Sequence, residues 1–167
     1  YTGPENVIYT AAPDPDPPPE EALVRVDSVG ICGSDMHAFL GHDESRPAPL
    51  LLGHEAAGLV VPGKMEGKRV TFNPLATCGK CKACLRGQDN ICTSRQIISM
   101  QPRQGAFAEF VAIPEVNLVE VADQIDLNQA ALAEPIACGW HAAKLSQRSI
   151  SIDLGAANAL VMGGGAI

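Results

Sequence analysis

Aromatic residues are scarce in this chain: one Trp, two Tyr and four Phe make up 4% of its 167 residues. The core is therefore expected to rest on Val, Leu, Ile and Ala. These bring the apolar share to 46%, which excludes an intrinsically disordered chain. Basic charge is also in short supply. Twelve Lys and Arg face nineteen Asp and Glu, for a net charge of −7. That excludes the basic surface needed for non-specific binding to nucleic acid or an anionic membrane. No apolar run approaches the roughly 20 residues that span a bilayer, and no secretory signal opens the chain. Tyr1 stands where an initiator Met would, so an upstream stretch is expected. The length suffices for one domain with a real core.

The pattern along the chain is mainly β with a few helices. Val7 to Ala12 reads as a strand, and the five prolines from Pro13 to Pro19 as an extended surface linker. Glu21 to Ser28 alternates, with Ala22, Val24 and Val26 on one face, as a half-buried strand does. Gly53 to Val61, ended by a Pro62-Gly63 turn, and Lys68 to Phe72 are further strands. Ala106 to Ile113 and Asn117 to Val121 are expected to pair around Pro114. Ser34 can cap a short helix through Leu40. Asp126 can cap a helix through Ala133, and Pro135 suits the opening of another to about Leu145. Asn158 to Met162 reads as a strand running into Gly163-Gly164-Gly165. A strand followed by G-x-G-x-x-G is the dinucleotide-binding fingerprint, with Gly163 and Gly165 as its first two glycines. Residue 168 would supply the third, so the C-terminus reads as an interruption inside that turn.

Four of the six cysteines lie between residues 78 and 92, with spacing Cys78-x2-Cys81-x2-Cys84-x7-Cys92. Such tight spacing suits metal binding in a reducing cytosol better than disulfides. Four thiolates suit tetrahedral zinc, and a shell they close has a structural role. Gly79 and Gly87 allow tight turns, and Lys80, Lys82 and Arg86 offset the negative charge.

A second set is dispersed. Cys32 lies in Gly30-Ile-Cys-Gly-Ser-Asp-Met-His37, His54 and Glu55 in Gly53-His-Glu-Ala-Ala-Gly58, and Glu134 in Glu134-Pro-Ile-Ala-Cys138. One thiolate, one imidazole and one carboxylate make a three-ligand zinc site with a position left open for chemistry. Glu134 at a helix start is favoured as an anion by the helix dipole. If Gly53 to Val61 is a strand, residues 54 and 55 point to opposite faces. That favours Cys32, His54 and Glu134 as ligands, with Glu55 behind the metal. Direct ligation by Glu55 in place of Glu134 is the other possibility. Cys138 is expected to be an inert buried thiol, Trp140 to pack near a domain junction, and His42 and His141 to be structural.

These segments, in this order and spacing, resemble the zinc-containing medium-chain dehydrogenase/reductase family. A Glu at position 134 is similar to the polyol, threonine and bacterial secondary-alcohol branches. The resemblance implies a GroES-like β-barrel catalytic domain over residues 1–134, a connecting helix and linker over 135–157, and the first strand of a Rossmann domain from 158. It implies zinc-dependent oxidation of a small alcohol or polyol with NAD or NADP as hydride acceptor, in a cytoplasmic homodimer or homotetramer. It also implies a proton relay from Ser34 to His37. A simple helix cap for Ser34 and a surface role for His37 stand beside it, as does a non-catalytic zinc-binding module for the whole chain. Without its nucleotide-binding half, the chain alone is expected to be inactive.

Overall fold

The computed structural model describes residues 1–61, 65–150, 155, 157–158 and 160–164. The fold centres on a five-stranded antiparallel sheet. Strand β1 (Glu21–Gly30), its longest, is flanked by β2 (Glu55–Val61) and by the edge strand β6 (Phe110–Pro114). Beyond β2 come β3 (Arg69–Phe72) and then β7 (Leu118–Glu120), in the order β6-β1-β2-β3-β7. A small ladder of β4 (Leu75–Ala76) and β5 (Gln96–Ile97) brackets the cysteine-rich loop. Three helices complete the described chain: α1 (Gly33–Phe39), α2 (Leu127–Ala130) and α3 (Ala133–Ser149). None is long and apolar enough to cross a membrane.

The core is aliphatic, as the shortage of aromatics requires. Val24, Val70 and Ile113 are fully buried, and Phe72 is the sole aromatic in the main cluster. Alternation along β1 sends Ala22 and Val24 into this cluster and leaves Arg25 exposed. The short α2 covers the sheet elsewhere, packing Leu127, Ala130 and Ala131 on Ala57 and Val121. Ala38 of α1 packs with Leu50 and Leu52 in a third cluster. Arg103 pairs through both terminal nitrogens with the Glu21 carboxylate, joining the start of β1 to the chain after β5.

Several sequence expectations are corrected. Val7 to Ala12 forms no strand, and Tyr9 stands fully in solvent. Residues 8–15 and most of 102–112 instead line a common cavity of about 830 Å³, and no ladder joins the segment to β6. Strands β6 and β7 do not pair with each other, because the short turn at Glu115–Asn117 carries the chain from one sheet edge to the other. Position N-cap of α1 is taken by Cys32 rather than Ser34, since Asp35 folds back to accept the Cys32 backbone N–H at 3.1 Å. Strand β2 begins at Glu55, two residues later than expected, because Gly53 takes a left-handed φ of 90°. Residues 158 and 160–162 form no strand, having no neighbouring strand to pair with among the described residues. Leu160, Val161 and Met162 are each more than 80% exposed. The Pro62-Gly63 turn lies outside the described residues.

Candidate metal centres and cleft

The cysteine-rich loop gathers all four of its thiols. Sγ of Cys81 lies 3.5 Å from that of Cys84, Cys92 lies 3.6 Å from Cys78, and Cys78 lies 4.0 Å from Cys84. A tetrahedron with Zn–S bonds of about 2.3 Å has edges of about 3.8 Å, so the donor set fits zinc with no rearrangement. Two short 3-10 turns, Cys84–Arg86 and Asp89–Ile91, build the loop, and Gly87 closes the first with φ of 69°. Backbone N–H of Cys84, then its thiol, pull the Cys81 thiol down to about 6. Loss of water, then the thiols of Cys81 and Cys92, push Cys84 up to about 11.

The second set converges at one end of the sheet. Ligand atoms of Cys32, His54 and Glu55 all lie within 4.8 Å of one another. Each is placed by a different device. Cys32 caps α1 directly after β1. His54 follows the left-handed turn at Gly53, outside the strand, so it is free of the face alternation that would part it from Glu55. Glu55 opens β2 opposite Gly30, and any side chain at position 30 would meet its Oε2 at 2.5 Å. His54 and Glu55 are both buried. Sulfur, nitrogen and carboxylate oxygen brought together in this way suit a three-ligand zinc.

Glu134 does not join this group. It sits half-buried on the first turn of α3, a helix that touches β2. Its Oε1 accepts a hydrogen bond from the Cys138 thiol at 3.3 Å. Cys138 is exposed rather than buried, because no element among the described residues packs over that face of α3. Its thiol is pushed up to about 11, first by desolvation, then by Glu134, with Cys32 and Glu55 near enough to add to the effect. Trp140 is 65% exposed, with Lys144 Nζ 5.2 Å from its ring centroid. Gly163 is exposed with φ of 99°, and Gly165 lies outside the described residues.

Cys32 and Glu55 open onto a cleft of about 550 Å³, whose wall carries Ser34 and His37 on α1 and, beyond the helix, His42 and Asp43. Ser34 Oγ is buried with no hydrogen-bond partner, and so is His54 Nδ1. Asp35 was not singled out by sequence, yet it organises the site. One carboxylate oxygen accepts the Cys32 N–H at 3.1 Å, and the other accepts the Gly53 N–H at 3.1 Å and lies 3.7 Å from His54 Nδ1. Burial opposes its ionisation, but the His54 imidazole and the two backbone N–H groups outweigh that and hold its pKa below the usual Asp value.

Comparison with known proteins agrees with this arrangement. Residues 18–123 match the alcohol dehydrogenase GroES-like domain. The chain is 36% identical to L-galactonate-5-dehydrogenase of Escherichia coli (strain K12) over 147 residues, 84% of this chain and 43% of that protein. It is 36% identical to sorbitol dehydrogenase of Bacillus subtilis (strain 168) over 140 residues, 78% and 40% of the two chains. Its fold is similar to a cobalt- and zinc-bound thermostable alcohol dehydrogenase from Pyrobaculum aerophilum, with a TM-score of 0.70, 32% identity and coverage of 80% and 42%. The chain thus spans less than half the length of these relatives. A GroES-like sheet matched in sequence and in fold, bearing these motifs in this order, places the chain in the zinc-containing medium-chain dehydrogenase/reductase family, as its N-terminal part.

Proposed function

We propose that this chain forms the catalytic part of a zinc-dependent dehydrogenase that oxidises an alcohol or polyol, with NAD or NADP as hydride acceptor. The observation that carries the reading is the convergence of Cys32, His54 and Glu55, two of which, Cys32 and Glu55, line an open cleft. A module that only needed zinc for stability would have no use for a second, incompletely enclosed donor set. Cys32, His54 and Glu55 would hold the catalytic ion, and the four cysteines of the loop a structural one. Glu134, which the sequence favoured as third ligand, is proposed to act instead from the first turn of α3, where its carboxylate accepts the Cys138 thiol. When bound, zinc supplies Lewis-acid polarisation of an alcohol oxygen, and the nicotinamide ring accepts the hydride.

The chain's own groups handle the proton. Ser34 lines the cleft and its buried Oγ has no internal partner, so its hydroxyl is free to accept a proton from a substrate hydroxyl as it passes its own onward. His37 lies one helical turn further along α1, exposed on the same cleft, and takes that proton to solvent. Six unpaired cysteines support a reducing, cytoplasmic setting. The resemblance to the family supports a homodimer or homotetramer.

Metal content tests the assignment. Native mass spectrometry should find two zinc ions per chain, and Cys32→Ala should leave one. A content of one that Cys32→Ala does not alter would show that the second centre does not exist.

A further inference from the structure

His42 and Asp43 line the cleft but take no part in the reading above, and Arg46 stands behind them. Their placement is built by the backbone. Helix α1 closes with the Gly41 N–H donating to the Ala38 carbonyl and the His42 N–H donating to the His37 carbonyl, each at 2.9 Å. This is the doubly bonded Schellman closure, with Gly41 left-handed at φ of 75°. A side chain at position 41 would meet Pro4 Cγ at 2.9 Å, so the reversal depends on glycine. It returns the chain so that the His42 and His37 ring centroids lie 6.2 Å apart, edge to face.

The next residues are pinned from behind. One Asp43 oxygen accepts both the Ser45 N–H at 2.9 Å and the Ser45 hydroxyl at 2.5 Å, and the other accepts Arg46 Nη1 at 2.6 Å. Arg46 is 7% exposed, and its Nε donates to the Ser99 carbonyl at 3.0 Å. The same Nη1 reaches the Ser34 carbonyl at 3.4 Å. A buried guanidinium therefore couples the loop after α1 to the first turn of that helix. The imidazole of His42 is exposed, but the backbone that carries it is held at both ends.

We propose that His42 is a specificity-determining residue: it binds a second hydroxyl group of the substrate, so that the cleft prefers diols and polyols to monohydric alcohols. The inference rests on the reading of Cys32, His54 and Glu55 as the metal centre. An imidazole offers one donor and one acceptor, which matches a hydroxyl group. The described lining of the cleft holds no Lys or Arg, and it carries the carboxylates of Glu55 and Asp43. It therefore complements neutral hydroxyls rather than an anionic group. A second proton-relay step at His42 is disfavoured, because no hydrogen bond joins the two rings and His37 already faces solvent.

The test loads the chain with cobalt(II), whose visible bands respond to groups entering its open coordination position. Cys32→Ala serves as the blank for cobalt in the cysteine loop. Sorbitol and 2-propanol are titrated into the wild-type chain, His42→Ala and His42→Gln. Loss of one net hydrogen bond should lower the ratio of sorbitol to 2-propanol affinity about tenfold in His42→Ala. His42→Gln keeps a donor and an acceptor and should recover most of the ratio. An unchanged ratio in His42→Ala overturns the proposal, as does a wild-type chain that binds sorbitol no better than 2-propanol. A chain that takes up one cobalt only, insensitive to Cys32→Ala, removes the metal centre itself, and metal content alone identifies that outcome.

Discussion

At the scale of single residues, Asp35 has the widest reach. It is 2% exposed and touches Cys32, Gly53 and His54, on both segments that build the proposed metal centre. Outer groups that orient a metal-ligating histidine are each worth tenfold to a hundredfold in affinity. Asp35→Asn keeps the volume but removes the charge beside His54, so zinc at that centre should bind about ten to a hundred times more weakly in a chelator competition. An unchanged affinity would limit Asp35 to a helix-capping role. The pH dependence has a definite sign. A carboxyl whose folded pKa is lowered contributes stability that is complete above its unfolded pKa of about 3.9 and fades as pH falls through the folded value. Denaturation of the metal-free chain below about pH 4 should therefore be less steep in Asp35→Asn. The cysteines also differ in reactivity. Cys81 at about 6 is largely thiolate at neutral pH, whereas Cys84 and Cys138, at about 11, are not. Iodoacetamide at pH 7.5 should label Cys81 before either of them in the metal-free chain, with peptide mass spectrometry as the readout, because the thiolate is the nucleophile.

At the scale of elements, the closure of α1 is the part most exposed to a single change. Gly41→Ala forces a Cβ into a left-handed position against Pro4. The conformation alone costs about 1–2 kcal/mol, which thermal or urea unfolding should show as a loss of at least that size. Elements that carry their own periodicity were legible before the fold was known: β1, β2, β3 and α1 lie within two residues of where alternation and capping put them. Val7 to Ala12 also has the composition of a strand, but a strand needs a neighbour within hydrogen-bonding distance, and sequence cannot say whether one is offered. The same limit explains β6 and β7, whose strand character was readable although their partners, β1 and β3, were not. In the site, Cys32, His54 and Glu55 were all visible as donors. The preference for Glu134 over Glu55 rested on residue 54 lying in a strand, and the left-handed glycine at 53 keeps it out of one. Asp35 occupies the third position of a helix whose N-cap is Cys32, the place of the acid in a capping box. That spacing could have revealed it had a cysteine been considered as the cap.

At the scale of the whole molecule, one largely aliphatic cluster forms the main core. Ile113 is fully buried in it on the edge strand β6, with β1 next in the sheet. Ile113→Ala should cost about 2–5 kcal/mol in global stability, measured by denaturant unfolding with zinc held constant. The cysteine loop has a different dependence. Of the residues from 78 to 92, only Cys92 is buried, so metal bonds would take the place of a core there. Stripping zinc with a chelator should release amide protection across that loop while β1, β2 and β6 stay protected, as hydrogen exchange would report.

The trio proposed to hold the second ion sits elsewhere, at the last rung of the β1–β2 ladder, where Gly30 faces Glu55. Ladder ends open and close far more often than ladder centres do. An ion held there by Cys32, just beyond one strand, and by His54 and Glu55, at the start of the other, would act as a clasp on that end. The rate at which the ion escapes then becomes a clock for the opening of the hairpin, and warming that frays the rung should shorten the ion's residence well before the sheet itself melts.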